Sequence, residues 1–178
     1  MDVNSEAIEN HAIVGDLHTI ALVALDGAID FMCFPRFDSP TIFASLLDPE
    51  RGGHFSIAPL FDHVRRKQLY LPDSNILLTR FLSADGVMEI SDFMPVAEAS
   101  VAHNLVRRVK SVRGEVRVRM VCAPRFNYAR SVHRLERISE KEIVFTSEGD
   151  DGCALRLRSS VPLAVENGDA VAVFTLRA

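Results

Sequence analysis

The chain has 178 residues, 20 Lys and Arg against 24 Asp and Glu, a formal net charge of −4, 48% hydrophobic residues and 25% charged ones. This is the composition of a globular domain with enough apolar material for a core, and the charge excludes bulk attraction to a polyanion. No apolar run approaches the length of a membrane-spanning helix, and the polar, acidic start lacks the basic and apolar regions of a signal peptide. A soluble, cytoplasmic protein with no membrane or nucleic-acid partner is expected.

Turn chemistry organises the elements. "TIALVALDGAIDFMCF" sets Asp26-Gly27 between two β-rich runs, the first of several hairpins. The following "DSPTIFASLLDPERGG" predicts a short helix over 40–47. Ser39 is placed to cap it, Pro40 takes the first helical position, and Ile42, Phe43, Leu46 and Leu47 fall at helical spacing before Asp48-Pro49 and Gly52-Gly53. "ILLTRFLSADGVMEISDF" repeats the hairpin pattern around Asp85-Gly86. In "EVRVRMV", Val116, Val118 and Met120 alternate with Arg117 and Arg119, the period of a half-buried strand. "IVFTSEGDDGCALRLRSS" turns between Gly149 and Gly152, and "LAVENGDAVAVFTL" turns at Asn167-Gly168. Four such turns flanked by β-branched residues predict an all-β antiparallel sandwich in which each sheet has one wetter face.

Catalytic signatures are missing: there is no GxGxxG, phosphate-binding GxxxxGK, HExxH or GxSxG. The three cysteines, Cys33, Cys122 and Cys153, are odd in number and widely spaced, which suits buried free thiols in a reducing compartment. None of the six histidines lies two or four residues from another, so a metal site can assemble only through the fold, and no metal ligand or cofactor is assigned. Asp16, Asp26, Asp30, Asp38, Asp48, Asp85 and Asp92 all stand near turns, where Asp bonds its own backbone. The basic stretch from Arg107 to Arg137 alternates with valines and has few aromatics, so it reads as solvated strand faces paired with acids of neighbouring strands.

Two segments form a constellation. Arg36, Phe37 and Asp38 follow Pro35, and Arg125, Phe126, Asn127 and Tyr128 follow Pro124. An Arg fork bonds sugar hydroxyls and an aromatic ring covers a pyranose face. The same residues can equally be an Arg–Asp pair that pins a loop.

"ENHAIVGDLHTIALVALDGAIDFMCFPRFDSPTIFASLLDPERGGHFSIAP" resembles the start of the glucoamylase- and trehalase-like proteins of glycoside hydrolase family 15. "YLPDSNILLTRF", "ADGVMEISDFMPV", "LVRRV" and "GEVRVRMVCAPRFNYAR" continue the resemblance in order over nearly the whole chain. It implies an N-terminal β-sandwich of the super-sandwich type over 1–178, followed in the family by an (α/α)₆ barrel with the two glutamates of an inverting α-glucosidase. The chain is too short to hold that barrel, so no catalytic residue is assigned to it and, by itself, it is not expected to be an enzyme. The resemblance implies a buttress for the barrel of the same polypeptide, acting on an α-glucoside. Arg36, Phe37 and Asp38 are expected at the substrate rim or the domain boundary, supported by Arg125, Asn127 and Tyr128. The alternative is a stand-alone carbohydrate-binding or oligomerisation module. Cut from a barrel, a sandwich exposes apolar surface and strand edges, and the isolated chain is expected to self-associate. Where the family has Trp this chain has Phe31, which is expected to pack in the core.

Overall fold

The computed structural model describes residues 7–96 and 102–178. The Asp26-Gly27 turn joins β2 (Ile20–Ala24) to β3 (Ala28–Cys33); Asp26 Oδ1 accepts the Ala28 amide, and Gly27 takes a φ of 85°. β1 (His11–Gly15) pairs outside β2. On the other side follow β5 (His54–Pro59), β10 (Glu115–Ala123), β15 (Asp169–Arg177) and β14 (Ala164–Glu166), while β4 (Thr41–Phe43) branches from β3. A meander of β6 (Arg65–Tyr70), β7 (Leu77–Leu82), β8 (Val87–Phe93) and β9 (Val106–Arg113) makes a second sheet, and β11 (His133–Ser139), β12 (Glu142–Ser147) and β13 (Ala154–Arg158) make a third. All pairings are antiparallel, and the four hairpins expected from the turn dipeptides are present. One apolar core joins the sheets, drawing Val23 and Ile29 from the large sheet, Phe81 and Ile90 from the meander, and Ile143 and Phe145 from the third. The alternation read in "EVRVRMV" holds, with Val116, Val118 and Met120 buried and the arginines between them exposed.

The helix expected over 40–47 is not formed. Thr41, Ile42 and Phe43 are all buried in β4, where Cys33 faces Thr41 and Met32 faces Phe43 across the ladder. Leu47, the end of the supposed apolar stripe, is 64% exposed. Ser39 caps no helix: its Oγ accepts the Arg36 amide inside a turn. A β-branched residue followed by two large apolar ones can be buried on both sides as a strand, and here the free edge of β3 rewards that choice over helical spacing. The α-type turn that does occur, α1 (Phe126–Ala129), lies in the second Pro-Arg-Phe segment. Phe31 is only half-buried and pairs with Leu22, whereas its neighbours Ile29 and Met32 enter the core. A register shift between Leu22 and Val23 turns it away, because a bulge re-aims the side chains that follow it.

Asp30 and Asp92, expected near turns, are instead strand residues with buried partners, His11 and Arg107. Asp92 on β8 is fully buried opposite Arg107 on β9, whose side chain is 2% exposed. Arg107 Nε donates to Asp92 Oδ1 at 2.9 Å and Nη2 to Oδ2 at 3.2 Å; Nη1 and Nη2 also donate to the carbonyls of Phe55 and Gly27, each at 2.6 Å. The guanidinium stacks over the Phe55 ring, 4.8 Å from its centroid. Arg107 is thus no solvated strand residue; it ties the meander to the large sheet. Gly27 permits this approach, because a Cβ there would stand 2.9 Å from Phe81 Cζ and from the Ile57 carbonyl oxygen. Gln68 adds a second tie, with Nε2 donating to the carbonyls of Val23 and Ala24. At the sheet edge, the Tyr70 hydroxyl accepts the Ile13 amide and donates to the Ile13 carbonyl.

On the other face of the meander, Arg80, Glu89 and Lys110 stand in one cross-strand row. Arg80 Nε lies 2.6 Å from Glu89 Oε1, and Lys110 Nζ 2.7 Å from Oε2. Burial alone would raise the Glu89 carboxyl; the hydrogen bonds from Lys110 and Arg80 outweigh it and hold it below its ordinary value.

Asp92→Asn leaves the Arg107 charge buried without a counter-charge and is expected to cost about 3–5 kcal/mol in urea unfolding, whereas Asp92→Leu with Arg107→Met costs less. Glu89, with its folded value depressed, contributes stability above its unfolded value of 4.5, and that contribution is lost as pH falls through the lower folded value. Melting curves of Glu89→Gln are expected to lie below wild type at neutral pH and to converge with it in acid; a constant gap contradicts the assignment.

Candidate functional site

The two Pro-Arg-Phe segments meet at β4. The first runs into it: the Phe34 amide donates to the Pro40 carbonyl, and the Thr19 hydroxyl donates to the Cys33 carbonyl just before the loop. The second docks on it, with the Arg125 amide on the Ile42 carbonyl at 2.9 Å and the Tyr128 amide on Thr41 Oγ1 at 3.1 Å. Phe126, fully buried, anchors this second loop in the core.

The fold gives the two arginines different tasks. Arg125 forks onto Asp169, Nη1 to Oδ1 at 2.6 Å and Nη2 to Oδ2 at 3.1 Å, and it packs against Gly53. It closes the end of the β10–β15 ladder and is committed to structure. Arg36 also forks onto a carboxylate, that of Asp38, but both side chains are about 70% exposed, at 70% and 72%. An ion pair so exposed contributes little to stability. Phe37 beside it is 55% exposed, although its amide is fixed to the His18 carbonyl. The Arg36–Asp38 loop therefore offers a fork, an acid and a ring to the outside on an anchored backbone.

Backbone strain concentrates in the neighbouring loop. Asn127, Tyr128 and Ala129 all take left-handed conformations, with φ of 53°, 57° and 60°. Each such residue other than Gly costs about 1–2 kcal/mol, least for Asn. Arg130 braces the turn, Nε donating to the Asn127 carbonyl and Nη2 to Asn127 Oδ1, and its guanidinium covers the Tyr128 ring. The result is a Tyr128 ring held at the surface, 43% exposed. Sequence reading selects Asn127 and Tyr128 by residue type; the strain that marks them is a property of the backbone.

Three other groups of titratable residues were not singled out by sequence. Asp16, His18 and His103 bring one ligand atom each to within 4.8 Å of one another. His103 Nδ1 lies 2.5 Å from Asp16 Oδ2, while Asp16 Oδ1 accepts the amides of His18 and Thr19. Burial opposes the Asp16 charge, but the Thr19 and His103 hydrogen bonds outweigh it and hold the carboxyl below its ordinary value. An Asp-x-His step is visible in the sequence; His103, more than eighty residues away, is not linked to it by any spacing. Second, Asp30 sits at the β3 bulge with Oδ2 2.7 Å from His11 Nε2 and with Oδ1 buried and without a hydrogen-bond partner among the described residues. Burial raises the Asp30 carboxyl more than His11 lowers it. Third, Asp30 and His54 line an open groove of about 1190 Å³ with Asp26, Asp62 and His63. Burial pushes the His54 imidazole below its ordinary value. All three cysteines are buried and free, and burial pushes the Cys153 thiol up to about 11.

Ala129→Gly relieves one left-handed residue at an exposed position and is expected to raise stability by about 0.5 kcal/mol, net of the entropy glycine adds to the unfolded chain. A lower denaturation midpoint contradicts the strained turn.

Residues 2–160 match the family model described as trehalase-like, N-terminal. The chain is 40% identical over 115 residues, 65% of its length, to Trehalase 1 of Sulfolobus acidocaldarius. It is 30% identical over 168 residues to a trehalase of Thermoplasma volcanium and 28% identical over 188 to one of Mycobacterium tuberculosis, each alignment covering 92% of the chain. It spans only 19%, 26% and 27% of those three proteins. No solved structure matches it. No helix among the described residues is long and apolar enough to cross a membrane. With a match running from its second residue through the end of the third sheet, the chain belongs to the trehalase-like N-terminal domain family.

Proposed function

We propose that this chain is the non-catalytic N-terminal sandwich of an inverting α-glucoside hydrolase, with trehalose as the substrate its relatives' names point to. It buttresses a catalytic barrel in the same polypeptide, and the Arg36–Asp38 loop reaches the rim of that barrel's active site. The observation that carries the rim role is the contrast between the two Pro-Arg-Phe arginines. Arg125 is spent on Asp169, whereas Arg36 is exposed, paired among the described residues within its own loop, and carried on a backbone fixed to His18, Ser39 and β4. A fork held this way pays little entropy when it engages a sugar hydroxyl or a carboxylate across a boundary. The family match and the relatives' greater length support the buttressing role. A stand-alone sugar-binding module would need a broad aromatic platform, and aromatics are 7% of this chain.

In the full-length enzyme, Arg36→Ala is expected to lower kcat/KM on trehalose roughly 10- to 100-fold, the value of a hydrogen bond to a charged donor. The melting temperature is expected to stay within about 2 °C. Unchanged turnover, or a loss of activity that tracks a loss of stability, removes the loop from the rim. Titration of the isolated chain with trehalose and maltose is expected to show no binding; saturable binding would favour the stand-alone module.

A further inference from the structure

We propose that Asp16, His18 and His103 form a binding site for a divalent first-row transition ion, with zinc the best match. Two imidazoles and one carboxylate are a donor set that suits zinc rather than the oxygen-seeking calcium or magnesium. The site is built from two distant parts of the chain: the tight turn between β1 and β2 supplies Asp16 and His18, and the segment leading into β9 supplies His103. Its supports are in place. Both oxygens of Asp16 are assigned, Oδ1 to the amides of His18 and Thr19 and Oδ2 toward His103. The side chains of Asp16 and His103 are 5% and 6% exposed, so the donors stand in a shielded place where a cation gains most. The Phe34 ring meets His103 edge-on at 5.6 Å, and His18 leans on His103 with ring centroids 5.3 Å apart.

The geometry specifies the change on binding. Ligand bonds of about 2.0–2.1 Å at tetrahedral angles place donor atoms roughly 3.3 Å apart. His103 Nδ1 and Asp16 Oδ2, at 2.5 Å, must open by under an ångström, and the His18 nitrogen must close from its place within 4.8 Å. The ion takes the place between Nδ1 and Oδ2, so His103 binds it with Nδ1 bare and its ring proton on Nε2; an imidazolium would release one proton to solvent on the way. Three protein ligands leave a fourth position for water. The His18 carbonyl accepts the Phe37 amide, so an ion here would brace the Arg36–Asp38 loop from beneath, whether or not that loop faces a sugar.

The test uses the chain without an affinity tag, stripped with chelator. Zinc titrated by calorimetry is expected to bind at one equivalent with a dissociation constant below about 10 µM. Cobalt(II) is expected to give the visible absorption of a tetrahedral site. His103→Ala and the half-exposed His18→Ala are each expected to weaken zinc on the order of 100-fold and to abolish that band. His63→Ala, exposed in the groove, is expected to leave both unchanged. Absence of stoichiometric binding, or binding that survives both site variants, overturns the proposal; so does binding lost in His63→Ala.

Discussion

The buried Asp92–Arg107 pair is the interaction on which the rest of the sandwich depends. Two charges out of water are costly unless every polar atom finds a partner. Here the guanidinium meets a carboxylate on its own sheet and two carbonyls on the opposite one, with a ring beneath it. Those carbonyls, of Gly27 and Phe55, belong to segments that flank one another where β3 pairs with β5. The pair therefore fixes how the meander sits against the large sheet, a task apolar contact alone does with less directional precision. Everything that positions β3, including the bulge at Asp30 and the loop that follows Cys33, inherits that alignment.

That alignment explains why the two loops of interest are so firmly held although they are largely solvent-facing. β3 delivers the first to β4, and β10 delivers the second to the same short strand. β4 has only three residues, yet all are buried and both loops hydrogen-bond to them or run through them. Rigid strands carrying loops of unusual conformation is the common arrangement for recognition sites.

Much of this architecture is legible in the sequence, because hairpins announce themselves locally. Asp-Gly and Asn-Gly turns with alternating flanks define four pairings without knowledge of anything distant. The Thr41–Phe43 segment misleads for a physical reason: capping chemistry at Ser39-Pro40 and apolar residues at helical spacing are local signals, and the open edge of β3 that overrides them is not. The same limit hides Arg107 among the surface arginines, since only the fold brings Gly27 and Phe55 to it. Arg36 and Asp38, chosen by residue type, stand as an exposed pair, while Arg125, chosen in the same way, is tied to Asp169. Nothing in the two Pro-Arg-Phe strings separates them; Asp169 does.

The Tyr70 hydroxyl, bonded to both the amide and the carbonyl of Ile13, has a consequence for how copies of this chain can meet. Ile13 lies on β1, the outermost strand of the large sheet, and its backbone is what an incoming strand would read. A side chain already occupies both groups, so that edge is closed to sheet extension. The far edge is β14, three residues long, and β6, one of the two outer strands of the meander, opens with Arg65, Arg66 and Lys67, a run of like charge that repels its own image. Strand-to-strand zippering between copies is therefore disfavoured at these three borders, which leaves β9, β11 and β13 as the outer strands, together with the sheet faces and the loops at their ends, for a partner to meet.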